Sequence, residues 1–284
     1  MSLHILLILI CFYGVLKFSD IMIVSTQVFG LRNPKYQNFT GYTLGALTSV
    51  PELVITIASI ATGNPEIAVM NIISSNIINA IFLTIQSWRF QRLRHFRNKY
   101  LWDEIAIALI AIILPTSLFF SGDSHIINAT VGVLLFISFV LWEKYGMRKF
   151  SLTIEEPTGS GWFFNTISLL GKNNVRIIFL IVFGCCGLTV SGFYMGNSLD
   201  YIMVHTKETI PFLAIVIGIF AGIGTSIPEY KSFGAIYKLY KEAGEKFSLA
   251  DIQSCLDNNN ASSCFNYGII YPIGVYGGKF FSVL

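Results

Sequence analysis

Charge is the scarcest property of this sequence. Asp, Glu, Lys and Arg make up 12% of its 284 residues, about half of the roughly 25% that a soluble domain carries. That excludes a soluble globular enzyme or binding module. Cysteine is sparse and unpatterned. Cys11, Cys185, Cys186, Cys255 and Cys264 show neither a metal spacing nor a disulfide framework, and read as small buried hydrophobes. A cleavage-site pattern is missing after the apolar residues 2–16, and apolar sequence resumes at Ile21, so this segment reads as a first membrane helix rather than a signal peptide. The net charge of +3 gives no footprint for nucleic acid, because the basic residues cluster in loops. The richest cluster, 87–100 (SWRFQRLRHFRNKY), reads as an amphipathic interfacial connector and a topology signal. Asn-x-Ser/Thr triplets start at Asn38, Asn128 and Asn260, but each falls on the inside or in or near a span, so none is a persuasive glycan site.

What remains is apolar. Hydrophobic residues make up 54% of the chain, in runs that define a polytopic all-α membrane protein. Eight spans are expected: 2–29, 38–62, 66–87, 101–120, 124–143, 175–199, 209–240 and about 248–273. Lys17 and Asp20 stand three apart on one helical face, which predicts a mutual ion pair within the bundle.

Inside the second span sits an acid. Gly41 to Thr62 is long enough to cross a bilayer as helix, about 33 Å at 1.5 Å per residue, and Glu52 lies near its middle. A carboxylate at that depth costs several kcal/mol unless it faces a polar cavity or a partner, which marks a functional site. Pro51 has no N–H and frees the carbonyl of Leu47, beside the hydroxyls of Thr48 and Ser49. Carbonyl, hydroxyl and carboxylate oxygens together suit a hard cation such as Ca²⁺ or Na⁺. Beyond the turn at Thr62-Gly63-Asn64-Pro65, a second apolar run carries Asn71, Ser74, Ser75 and Asn76 at membrane depth. A proline-kinked helix with a protonated, hydrogen-bonded Glu is the plainer alternative for this stretch taken alone.

The stretch recurs. Gly222-Ile-Gly-Thr-Ser-Ile-Pro-Glu229 repeats Gly45-Ala-Leu-Thr-Ser-Val-Pro-Glu52 in register, which adds Thr225, Ser226, Glu229 and the carbonyl of Gly224 to the candidate ligands. An internal duplicate within apolar segments is the mark of a repeat-built transporter. Loop charge sets the orientation. With the N-terminus outside, fifteen Lys and Arg residues fall in inside loops and two, Lys207 and Lys279, fall outside, as the positive-inside rule requires. The first motif helix then runs inside to outside and the second outside to inside, so the copies are inverted. The polar stretch 144–174 divides a first half, 1–143 with its repeat at about 41–82, from a second half, 175–284 with its repeat at about 218–270.

At these residues the chain resembles the cation/Ca²⁺ exchanger superfamily, the sodium/calcium and proton/calcium antiporters. Their two α-repeats read roughly G-T-S-x-P-E followed by G-N-x-x-G-S-N-x-x-N. The first repeat matches at Thr48, Ser49, Pro51, Glu52, Asn71, Ser75, Asn76 and Asn79, and departs at Leu47 and Ser74. The second matches through Glu229, then carries Lys231 where the family has an apolar residue. Its second half is degraded. Aligning Asn258 to Asn266 places Ser262 on the family's Ser and Ser263 on its Asn or Asp, at the cost of extra residues; a register starting at Leu249-Ala-Asp251 needs fewer but loses the polar ligands. In the first register Ser263→Asp is expected to raise Ca²⁺ affinity. The resemblance implies an inverted-topology repeat transporter, and this chain has the family layout less its last two helices.

The expectation is therefore a membrane antiporter, not an enzyme, that exchanges Ca²⁺ against Na⁺ or H⁺ at a midplane site. Its partners are metal cations and the lipid bilayer, with no nucleic acid and no cofactor beyond the transported ions. Glu52 and Glu229 supply two negative charges, and Lys231, about 200° around the helix from Glu229, faces elsewhere. A transport-inactive or regulatory membrane protein derived from an exchanger is the alternative, and a passive cation channel comes third.

Overall fold

The computed structural model describes residues 2–33, 40–62, 65–120, 125–145, 173–206, 213–242, 249–273 and 275–276. All regular structure among them is helical: α1 Ser2–Arg32, α2 Thr40–Thr48, α3 Val50–Ala61, α4 Pro65–Arg89, α5 Trp102–Phe120, α6 His125–Tyr145, α7 Asn174–Thr206, α8 Leu213–Thr225, α9 Ile227–Glu242 and α10 Ala250–Phe265. Two short 3₁₀ turns, Leu93–Arg97 and Lys99–Leu101, join α4 to α5, and a π turn, Asn266–Ile270, continues α10. Helices α2 and α3 are one rod broken at Ser49, and α8 and α9 are one rod broken at Ser226. Counted so, the described residues form eight rods, the number the apolar runs predict. Most of the dividing stretch, 146–172, lies outside the described residues, as do Gly63, Asn64, Lys207 and Lys279.

Five stretches are long and apolar enough to cross a membrane by themselves: Leu3–Arg32, Thr40–Ala61, Ile67–Arg89, Lys99–Leu118 and Asn174–His205. Their outer faces carry exposed Leu9, Ile113, Phe179 and Val182, which is where lipid tails belong. Trp88, Tyr100 and Trp102 are exposed at the level of the 3₁₀ connector, the depth at which amphipathic rings mark a membrane interface. Of the cysteines, Cys11, Cys255 and Cys264 are buried but Cys186 is exposed, so the expectation of small buried hydrophobes fails for Cys186, which sits on the outward face of α7.

Helix α10 breaks the apolar rule. It reads ADIQSCLDNNNASSCF, yet almost every side chain is buried. It can be polar because protein surrounds it: α2, α4, α5 and α9 all pack on it. Glu104 of α5 accepts from Gln253 Nε2 at 3.1 Å and Asn260 Nδ2 at 3.3 Å, and Asp251 pairs with Arg92 of the connector at 2.7 Å.

The packing is reciprocal between the halves. Helix α2 lies on α10, α8 lies on α4, and α1 lies along α7. Small residues set how close they come. A Cβ at Gly45 would meet the Asn258 carbonyl and the Ala261 Cβ (2.8 Å). A Cβ at Gly222, the same position in the second copy, would meet Ser74 and the Ser75 nitrogen (3.0 Å). Gly45→Ala is therefore expected to cost about 1–3 kcal/mol through overpacking. At Gly192 the nearest atom stands 3.4 Å from an added Cβ, ordinary contact, so Gly192→Ala is expected to be neutral. The two heat-aggregation midpoints in detergent check this; equal midpoints would contradict the packing.

Candidate cation site

Each broken rod owes its break to proline. Pro51 and Pro228 offer no N–H to the carbonyls of Leu47 and Gly224, and the chain turns at Ser49 and Ser226 before helix resumes. Each break thus presents carbonyl oxygens from one half-helix and the N-terminus of the next. Glu52 and Glu229 stand in the first turns of α3 and α9, where the helix dipole favours a carboxylate.

Both carboxylates are fully buried, and close enough for their charges to interact. Around them the two repeats cross over. The Thr225 hydroxyl neighbours Glu52 and the Thr48 hydroxyl neighbours Glu229. These hydroxyl protons are already committed: Thr48 donates to Leu44 O at 2.8 Å, and Thr225 to Gly222 O and Asn71 Oδ1, each at 3.3 Å. What the threonines can turn towards the carboxylates is oxygen lone pairs. Ser49 Oγ bonds Gly45 O and contacts Ser262 Oγ at 2.8 Å, and Ser262 Oγ donates to Glu229 Oε1 at 3.0 Å. In the other copy Ser226 Oγ donates to Ser75 O at 3.4 Å.

Sequence-predicted ligands divide into two groups. Glu52, Glu229, Thr48, Thr225, Ser49, Ser226, Ser75 and Ser262 come together at the two breaks. Asn76 and Ser263 instead meet each other: Asn76 Nδ2 donates to the Ser263 carbonyl at 3.4 Å, and Asn76 Oδ1 accepts from Asn266 at 3.3 Å. One residue further along each helix stands about 100° round from Ser75 or Ser262, which turns this pair towards the α4–α10 seam. Asn258 and Asn266 bound the stretch aligned from the sequence but were not among its candidate ligands. The signal was present: Asn71-Ser75-Asn79 on α4 recurs at the same spacing as Asn258-Ser262-Asn266 on α10. Asn79 Nδ2 donates to Ser262 Oγ at 3.3 Å and Asn266 Nδ2 to Ser75 Oγ at 3.5 Å, a reciprocal pair. The alternative register at Asp251 puts that acid in the Arg92 pair, near the far end of α10.

Several acceptors are left over. Both oxygens of Glu52, Oε2 of Glu229, and Oδ1 of Asn79 and Asn266 are buried without a hydrogen-bond donor. A buried acceptor without a donor costs about 1–3 kcal/mol, and more when charged. Protons or a cation would satisfy this set, and the Thr48 and Thr225 hydroxyls do not, since their protons go to other acceptors. The oxygen-rich donor set fits a hard cation.

Lys231 does not enter the site. Its Nζ pairs with Asp20 Oδ2 at 2.7 Å and donates to Leu16 O at 2.7 Å, both on α1. This corrects the Lys17–Asp20 pair expected from spacing. Lys17 is exposed and lies over the Tyr13 ring at 5.5 Å. The partly buried Lys231 is within reach of that carboxylate, while Lys17 can turn outward.

Among known families, the profile described as "Sodium/calcium exchanger protein" matches residues 3–144. No curated protein sequence matches the chain. Among solved structures, the sodium-calcium exchanger NCX_Mj soaked with 100 mM Na⁺ and 10 mM Sr²⁺ superposes with a TM-score of 0.58 at 18% identity, covering 96% of this chain and 82% of that one. The same exchanger soaked with 2.5 mM Na⁺ and 0.1 mM Ca²⁺ gives 0.57 at 20%, covering 96% and 81%. The H⁺/Ca²⁺ exchanger CAX gives 0.64 at 14%, covering 96% and 69%. At these identities the superpositions speak to the fold.

Proposed function

The chain belongs to the sodium/calcium exchanger protein family, and on that premise we propose that it exchanges Ca²⁺ against Na⁺ or H⁺ at one site shared by Glu52 and Glu229. The observation that carries the reading is the set of buried, donorless oxygens on Glu52, Glu229, Asn79 and Asn266, drawn from both broken rods and from the helices that cross them.

The mechanism follows from charge. Empty and ionised, the two carboxylates carry two negative charges in a dry interior, at several kcal/mol per ion. Bundle motion that closes the site is then too costly unless the pair is neutralised. One Ca²⁺ neutralises it, and so do two Na⁺ or two protons. Crossing only when loaded is what makes exchange obligatory. Thr48, Thr225 and the carbonyls of Leu47 and Gly224 complete an oxygen shell at the 2.3–2.6 Å typical of Ca²⁺. With the N-terminus outside, as loop charge implies, α3 leads from the site to the outer surface and α9 to the inner one.

Proteoliposomes test this reading. Uptake of ⁴⁵Ca²⁺ is expected only with an outward gradient of Na⁺ or H⁺, and is expected to collapse when that gradient is dissipated. Uptake that persists without any counter-ion would mean a channel, and no uptake under any gradient would mean a protein that has left transport behind.

A further inference from the structure

Helix α3 carries more oxygen than the shared site uses. Thr56 and Ser59 are fully buried, one and two turns beyond Glu52, and neither hydroxyl has a hydrogen-bond partner. Helical hydroxyls usually bond the carbonyl a turn back, as Thr48, Ser49 and Thr62 do here. Positions 52, 56 and 59 share one face of the helix, so the free hydroxyls form a stripe leading away from the carboxylate pair.

The stripe ends at an acid on another helix. Helix α7 packs on α3 here: an added Cβ would stand 3.4 Å from Pro51 Cα at Gly192 and 3.3 Å from Ala58 Cβ at Gly196. One turn further along that face is Asp200, 2% exposed. Thr62 Oγ1 donates to its Oδ2 at 2.7 Å, the Ser59 hydroxyl neighbours the carboxylate, and Oδ1 has no donor. Among the described residues no Lys or Arg pairs with Asp200. A buried acid with only hydroxyls beside it, and no basic partner among the described residues, is expensive at this depth.

We propose that Asp200, with Ser59 and Thr62, is a cation-staging site through which Ca²⁺ or Na⁺ passes between the outer surface and Glu52, stepping past Thr56. The proposal rests on the exchanger reading and on the orientation implied by loop charge. From Glu52 to Thr62 is about 15 Å of helix, too far for Asp200 to act as a ligand of the shared site. Its role is to gather and admit cations on one side.

That sidedness gives the test. In membrane vesicles of sorted orientation, Asp200→Asn is expected to raise the half-saturating Ca²⁺ concentration about three- to tenfold at the outer face, in line with the effect of charge on cation approach, and to leave the inner face unchanged; Asp200→Glu should restore the outer value. Glu52→Gln, by contrast, should abolish exchange from both faces. An unchanged outer value, or an equal change on both faces, overturns the staging site while leaving the exchanger reading intact. A second measurement does not depend on transport. In a background freed of native thiols, Ser59→Cys is expected to react with an impermeant cationic methanethiosulfonate from outside, and millimolar Ca²⁺ should slow the reaction only while Asp200 is present. A thiol that never reacts, or one that Ca²⁺ does not protect, overturns the proposal.

Discussion

Glu52→Gln is expected to reduce Ca²⁺ exchange at least a hundredfold while the protein stays folded. The amide keeps the side chain's shape and one carbonyl oxygen but removes the charge that the divalent ion needs. Folding should survive because the substitution takes an unpaired charge out of a fully buried position, and such charges cost stability rather than supply it. Glu229→Gln should do the same, since Glu229 is equally buried and occupies the matching turn of the second rod. The two effects should not add, because either loss leaves the site with a single negative charge. Flux in proteoliposomes, with the detergent melting midpoint as the folding control, checks this. Near-normal flux in either variant would contradict the shared-site reading.

Asn266→Asp is expected to raise Ca²⁺ affinity by about tenfold or more. Asn266 Oδ1 is buried without a donor, and its Nδ2 is the group that reaches Ser75 and Asn76. A carboxylate there adds a third negative charge to the oxygen set. At a separation of about 4 Å and an effective dielectric of about 20, one added charge interacts on the order of 4 kcal/mol per unit charge before desolvation, so a net tenfold gain leaves most of that offset by burial. Ser263→Asp, expected from the sequence to raise affinity as well, is the comparison. Ser263 stands about 100° round α10 from Ser262, and it is its backbone carbonyl that Asn76 reaches, so an acid there is expected to gain less from the cation. Calorimetric titration of the purified variants separates the two; a larger gain at Ser263 would place the cation on that residue's side of α10 instead.

Much of this site was legible in the chain because its chemistry is local. A proline one residue before a glutamate, inside an apolar run, dictates both the helix break and the placement of the acid at its new N-terminus. Finding the same eight-residue pattern twice, five residues identical, with opposite loop charge, implies the inverted pairing of the rods. Lys231 was correctly turned away from Glu229 by helical angle alone. Its partner was not legible: Asp20 lies on α1, far away in sequence, and the i, i+3 spacing of Lys17 offered a nearer but unoccupied choice. Helix α10 was hard for a related reason. Its polar residues are tolerated because α2, α4, α5 and α9 enclose it, and no window of its own sequence reports that. The Asn-Ser-Asn spacing it shares with α4 was readable, but the copy lies further from its glutamate, and the longer α9, 16 residues against 12 for α3, accounts for only part of the displacement. The glycines told more than their count: at Gly41 and Gly45 on α2, and Gly218 and Gly222 on α8, a side chain would strike the neighbouring helix, so they fix how closely α2 and α8 pack.

The most direct measurement of the central claim is a structure of the protein soaked in Sr²⁺, a Ca²⁺ substitute located by its anomalous scattering. One peak is expected between Glu52 and Glu229, with ligand distances of about 2.3–2.6 Å, Thr48 and Thr225 in its shell, and Lys231 still on Asp20. A peak confined to surface loops, or one that persists unchanged in Glu52→Gln, would contradict the account.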